Sequence, residues 1–285
     1  MVELKNVEER QLRRGDIDLR LLVNHPHGHM RFMDYRVGNY PEKRDVLDEI
    51  ARELRLRKVF TLVEKQDSQN WRLAGFSREG VYPSFFRTAD AYTMSRLYEP
   101  SGQPLPPSAP LKPQADEQTT FPGRKLRKPE GLRIEPIRDE RSRHTVLSGH
   151  NGTLRAIPFG RCTIPELMFH VRARKQEGWV CAEIDDSFGH ATVAFAPTPR
   201  DEAELVLSAY AGNTAIQALH ERGVANLFGL SPVADRWSNE LFSGLGFKVS
   251  GRLADHLKTS DGFAMTLIWH RRLARTPDPM MEFGR

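Results

Sequence analysis

The sequence predicts an α/β (α+β) protein made of two tandem domains of one fold, joined by a Pro-rich linker. Three observations predict it. Gly246 to Trp269 aligns without a gap on Gly75 to Tyr98, at an offset of 171 residues (246 minus 75). In that alignment Gly75/Gly246, Phe76/Phe247, Gly80/Gly251, Thr88/Thr259, Asp90/Asp261 and Met94/Met265 are identical. The elements before each copy also follow in one order, β-α-β-α-β-β, which marks an internal repeat. Between the copies, Pro100 to Pro129 holds eight prolines and little else apolar. Such a segment cannot bury enough surface to fold and tends to extended polyproline geometry. The expected division is 1–99, a linker over 100–130, and 131–285.

The first half reads in order as follows. Ile17, Leu19, Leu21 and Val23 alternate as a strand. His25-Pro26-His27-Gly28-His29 has the look of a metal motif, but Pro26 and Gly28 make it a turn. No carboxylate or cysteine stands beside it at ligand spacing, so no metal is expected. Met30 to Val37 reads as a strand. Glu42 to Arg57 reads as an amphipathic helix with Val46, Leu47, Ile50 and Leu54 on one face. Lys58 to Val63 is a short buried strand. Asp67 is the expected cap of a second helix that carries Trp71 and stops at Gly75, which suits the left-handed C′ position.

The second half repeats this. Trp179 to Ile184 and Ala191 to Ala196 read as a hairpin around Asp185-Asp186-Ser187-Phe188-Gly189. Glu204 to Tyr210 then reads as a strand, Asn213 to Arg222 as a helix, and Ala225 to Leu230 as a strand. Ser231-Pro232 reads as a helix start, with a hydroxyl at the N-cap and proline at N1. Trp237, Leu241, Phe242 and Leu245 fall on one face of that helix, which Gly246 ends. Phe242 and Trp71 are the expected equivalent core anchors.

Composition narrows the function classes. With 285 residues, 39% hydrophobic, 28% charged and a formal charge of +5, the chain is globular and mildly basic. The charge permits anionic partners without requiring nucleic acid. Arg124 to Arg143 holds eight Lys/Arg against four acids, but no aromatic stacking residues are interleaved with them. Cys162 and Cys181 are the two cysteines; both lie in apolar settings, which fits a reduced, cytoplasmic protein without a disulfide scaffold. The N-terminal residues show no signal-type apolar region, and no apolar run spans a bilayer.

A strand, a helix, a strand, then a helix ending in Gly-Phe with a closing strand pair resembles the GCN5-related N-acetyltransferase (GNAT) superfamily. The chain looks most similar to β-lysine N-acetyltransferases, whose first half is a reduced acetyltransferase-like domain and whose second half is catalytic. The resemblance is carried by His27-Gly28 followed by MRFMDYRV, by GFSREGVYPSFF, and in the second half by Asn239, Gly246-Phe247, Gly251-Arg252-Leu253 and MTLIWHRRL. It implies tandem domains with mixed sheets, acetyl-CoA as co-substrate, and a small amine such as β-lysine as acceptor. It also implies a role for Asn239, on the helix that flanks the pantetheine arm.

One motif departs from the family. Arg/Gln-x-x-Gly-x-Gly/Ala normally follows strand four, where backbone amides and a helix N-terminus hold the coenzyme pyrophosphate. Here ELVLSAYAGNTAIQAL offers only Ala211-Gly212-Asn213 between the expected strand and helix. Either Gly212, Asn213, Thr214 and Ala215 cradle the diphosphate from a bare helix N-terminus, or the coenzyme site has decayed. Acyl transfer needs a base for the amine and an acid for the leaving thiolate. Glu204 is the candidate base and Tyr210 the candidate acid; an exposed edge charge and a packing tyrosine are the bland readings. Two function classes follow: an acetyl-CoA-dependent N-acetyltransferase, or a non-catalytic scaffold or regulator of the same fold.

Overall fold

A computed structural model describes residues 7–107, 127–149 and 165–273. The first half contains β1 (Val7–Arg14), β2 (Ile17–Asn24), β3 (His29–Asp34), α1 (Tyr40–Glu53), β4 (Lys58–Val63), α2 (Lys65–Leu73), β5 (Ser77–Tyr82) and β6 (Ala91–Leu97). The second contains β7 (Arg133–Pro136), α3 (Glu140–Gly149), β8 (Leu167–Ala173), β9 (Gln176–Asp185), β10 (His190–Ala196), α4 (Glu202–Glu221), β11 (Asn226–Pro232), α5 (Arg236–Gly244), β12 (Lys248–Thr259) and β13 (Gly262–Arg272).

The first sheet has the order β1-β2-β3-β4-β6-β5, and the second β12-β13-β11-β10-β9-β8-β7. Read from β8, the second is the first again, with β7 added at the edge. In each sheet one pair is parallel, β3 with β4 and β10 with β11, and the other pairs are antiparallel. Right-handed α crossovers are the usual way to join such parallel neighbours; α1 and α4 occupy that place here. The fold is therefore mixed α/β with the same topology twice.

Local irregularities repeat too. Gly28 and Gly189 each precede the inner strand in the left-handed region, with φ of 58° and 71°. Each gives its carbonyl to the strand start opposite, Gly28 O to Arg57 N and Gly189 O to Ala225 N. Gly75 and Gly246 follow α2 and α5 with φ of 89° and 78°, as a left-handed helix stop requires. The register of β5 shifts between Arg78 and Val81, and that of β12 between Val249 and Gly251. Both shifts begin at the same position of the repeat.

Trp71 is buried against Phe32 and Phe76, with ring centroids 4.9 and 5.0 Å away. Phe242 is buried against Phe195, Phe247 and Trp269. Both anchors thus belong to the cores of their own halves. A further cluster is shared between the halves: Phe60, Tyr82, Phe85 and Ala91 pack with Phe228, Leu253 and Ile268. There β5 crosses β12. Gly80 and Gly251, identical in the repeat, meet at the crossing; a Cβ built on Gly251 would lie 2.5 Å from the Gly80 Cα.

Several expected elements move. Glu204 to Tyr210 is not a strand: it is the first half of α4, and β10 is the strand that precedes the crossover. The sequence Asp201-Glu202-Ala203-Glu204 is a capping signal, and Asp201 accepts a hydrogen bond from Glu204 N at 2.8 Å. The strand-like alternation has a physical cause. Leu205, Leu207, Ala209, Ala211, Ala215, Ile216 and Leu219 are all buried, so α4 is enclosed on more than one face and lacks a single apolar stripe. Ser231-Pro232 ends β11, and α5 starts after Asp235, which caps Ser238 N. Glu64 takes the N-cap position of α2, leaving Asp67 in the first turn. The Met30 to Val37 strand ends at Asp34, and α1 runs from Tyr40. Cys162 and most of the 100–130 segment lie outside the described residues. No described helix is long and apolar enough to cross a membrane.

Candidate ligand site

The parallel pair is where each half opens. In the second half β10 and β11 pair at His190↔Asn226, Ala191↔Leu227 and Thr192↔Phe228, and then part. In the first half β3 and β4 pair at His29↔Lys58, Met30↔Val59 and Arg31↔Phe60, and then part. The backbone beyond the last pair faces the gap in both.

The second-half opening leads to the N-terminus of α4. Pro197 and Pro199 bring no amide hydrogen to that turn. The Asp201 carboxylate occupies one of the free helix amides. Glu204 turns back and accepts from Arg200 N at 2.9 Å and from Arg200 Nη2 at 2.7 Å. The Arg200 hydrogen bond holds the Glu204 carboxyl below its ordinary range. With Asp201 at its N-cap and Glu202 and Glu204 in its first turn, this helix end presents negative charge where a diphosphate would need positive potential. It does not fit the coenzyme's pyrophosphate.

The residues expected to make the site are scattered by the helix. Glu204 is a cap and ion-pair partner at its start. Tyr210 lies mid-helix, half-buried, and its carbonyl accepts from Thr214 Oγ1. Gly212, Asn213, Thr214 and Ala215 sit inside α4, where each amide is used by the i→i−4 ladder. Gly212 serves packing: a Cβ there would lie 2.7 Å from Leu245 Cδ1 and 3.2 Å from Phe195 Cε1. Asn239 is on α5, near the parted strands, but both ends of its amide are engaged. Its Oδ1 accepts from Ser231 Oγ at 2.6 Å, and its Nδ2 donates to Val233 O at 2.9 Å. Trp269 Nε1 donates to the same Ser231 hydroxyl. Asn239 thus ties α5 to the end of β11.

The first-half opening holds a cleft of about 530 Å³ that sequence reasoning missed. Its floor includes Arg31, Met33, Thr61 and Leu62 from the parting strands, with Tyr40 and Trp71 behind. The turn Asp185, Ser187 and Phe188 of the second half forms one wall. Arg31 is half-buried, its guanidinium pushed down to about 10 by desolvation, with Tyr82 and the Asp185 carboxylate acting against this. The rim is fixed by Lys43, which is fully buried and donates to both oxygens of Asp34 at 2.9 and 2.8 Å. Burial raises the Asp34 carboxyl above its ordinary range, and the Lys43 bond opposes this. Pro41 and Glu42 stand in the first turn of α1, so this helix end is no better suited to a diphosphate. Its lining residues lie far apart in the chain, so spacing alone does not reveal it. Among the described residues no group of His, Cys, Asp or Glu could hold a metal ion.

No protein-family model matches the chain, and no curated protein matches it. Solved structures do resemble it. A ribosomal-protein-alanine N-acetyltransferase from Brucella melitensis overlays 50% of this chain with 99% of its own, at 13% identity and a TM-score of 0.37. A Salmonella typhimurium protein described as an acetyltransferase, solved with its cofactor acetyl-CoA, overlays 53% with 99% of its own, at 10% identity and 0.40. The spermidine/spermine N-acetyltransferase of Vibrio cholerae overlays 50% with 92% of its own, at 12% identity and 0.38. At these scores the resemblance is one of architecture, and the tandem organisation stands on this chain's own strand order and register.

Proposed function

We propose that this is a tandem acetyltransferase-like protein that works by binding, as a scaffold or regulator in the cytoplasm, and does not transfer acetyl groups from acetyl-CoA. The observation that supports this reading is the start of α4. Two prolines, an aspartate on one of the free amides and two glutamates in the first turn replace the cradle a coenzyme pyrophosphate needs. The division at 1–99, 100–130 and 131–285 is part of the same proposal. A second reading keeps an N-acetyltransferase acting on a small amine such as β-lysine, with acetyl-CoA as co-substrate. It is favoured by the parting of β10 and β11, which leaves strand backbone free for an extended amide chain. Incubation of the full chain with acetyl-CoA and β-lysine or spermidine, followed by mass spectrometry, separates the two. No acetylated amine above the uncatalysed background is expected; catalytic turnover would establish the second reading.

A further inference from the structure

Imidazoles gather at the junction between the halves. His29 opens β3 and His256 lies in the irregular stretch of β12, with ring centroids 5.2 Å apart. They are 4% and 1% exposed. His29 Nε2 lies 3.1 Å from Asp255 O across the junction, a bond in which the ring nitrogen donates. Neither ring nitrogen of His256 has a protein hydrogen-bond partner among the described residues. His27 stands beside them, its ring 5.8 Å from that of His29.

The charged groups around these rings come from every neighbouring element. Lys58 of β4 donates to Glu79 of β5 at 2.7 Å and to Ala254 O of β12 at 2.6 Å. Ala254 N in turn donates to Glu79 Oε1. Arg57 pairs with Asp255 at 3.7 Å and lies over the Phe263 ring of β13. Lys258 of β12 acts on His27. Both nearby carboxylates, Glu79 and Asp255, are therefore already engaged by Lys58 and Arg57.

We propose that this cluster is a proton-operated latch: the uncharged rings of His29 and His256 let β12 close on the first half, and their protonation drives the halves apart. Two imidazolium rings here would add like charges beside Lys58 and Arg57 in a dry site, where such charges are costly. Protonated His256 would also carry two donors with no acceptor. Burial first, and Lys58 second, hold both imidazoles well below their ordinary range. The sign follows from this depression. The closed state resists the proton and the open state accepts it, so closure is fully favoured above the unfolded imidazole value of about 6.5 and weakens as pH falls below it. Each proton taken up favours opening by up to about tenfold per pH unit. His190, at the other end of the junction, responds in the same sense. Its ring is 4.2 Å from Phe85 of the first half and faces Asp185, Arg31, Phe188 and Phe228. Burial brings it down to about 4, opposed by Asp185.

The test uses the full chain. Urea midpoints of wild type and His256→Phe are measured from about pH 7.5 down to about pH 5, and histidine ring resonances of wild type are followed by NMR over the same range. A phenylalanine suits the site, since Phe60 lies 5.2 Å from the His256 ring and Phe263 5.7 Å from that of His29. The latch predicts that wild type loses stability with acid, that His256→Phe loses distinctly less, and that His29 and His256 titrate only as the β5 and β12 amides lose protection. Parallel pH dependence of the two proteins would overturn it. If the variant does not fold, wild-type NMR decides: free titration of both rings near 6.5 with those amides still protected would equally overturn it.

Discussion

Asp201 and Glu204 show how two side chains can decide what a helix end does. Each is a common residue, but Asp201 takes one of the orphan amides of α4, Glu204 takes the amide of Arg200 just before the helix, and together they make this end anionic. Replacing Asp201 by alanine should cost about 0.5–2 kcal/mol of stability, as loss of an N-cap does, and a urea melt measures it. The core anchors are larger effects. Trp71→Ala and Phe242→Ala should each cost roughly 3–5 kcal/mol in the same assay; a change below the scatter of surface substitutions would contradict their place in the core. Lys58 and Glu79 form a fully buried ion pair, with side chains 0% and 3% exposed. Lys58→Met alone leaves Glu79 charged and unpaired, with an expected loss of about 3–5 kcal/mol. A second change of Glu79→Leu should restore much of it, and a double-mutant cycle reads the difference.

At the scale of elements, the sequence shows most clearly where one periodicity or one turn residue dominates. The strand Lys58–Val63, the α1 stripe of Val46 and Leu47, the β9–β10 hairpin and the Gly75 and Gly246 stops all stand close to where their residues place them. The start of α4 reads as a strand because Leu205, Leu207 and Ala209 are buried in alternation, although they lie on a helix packed on several sides. The expected cradle moves with it: Gly212, Asn213 and Thr214 stand inside α4 and not at its N-terminus. The first-half cleft was not legible because its walls come from residues far apart in the chain, Arg31 and Phe188 among them. Gly212 now tests the corrected α4. Gly212→Leu should destabilise by about 1–3 kcal/mol through overpacking against Leu245 and Phe195. Unchanged stability would mean that α4, α5 and β10 are not in that contact.

For the whole molecule, the repeat explains the geometry of the junction. Two copies of one strand, β5 and β12, cross where both carry glycine, and neither position has room for a Cβ. The halves then share the Phe60–Phe228 cluster and the Lys58–Glu79–Ala254 network. Two consequences follow. Gly251→Val should loosen the halves while leaving each sheet's own core intact. A site-specific protease sequence placed at position 115 should, once cut, yield two pieces that still elute together in gel filtration at neutral pH. The central claim is that the α4 end is closed to the coenzyme. Isothermal titration of the full chain with acetyl-CoA tests it most directly. The account predicts no saturable heat up to millimolar ligand; micromolar binding that Asp201 and Glu204 substitutions alter would contradict it.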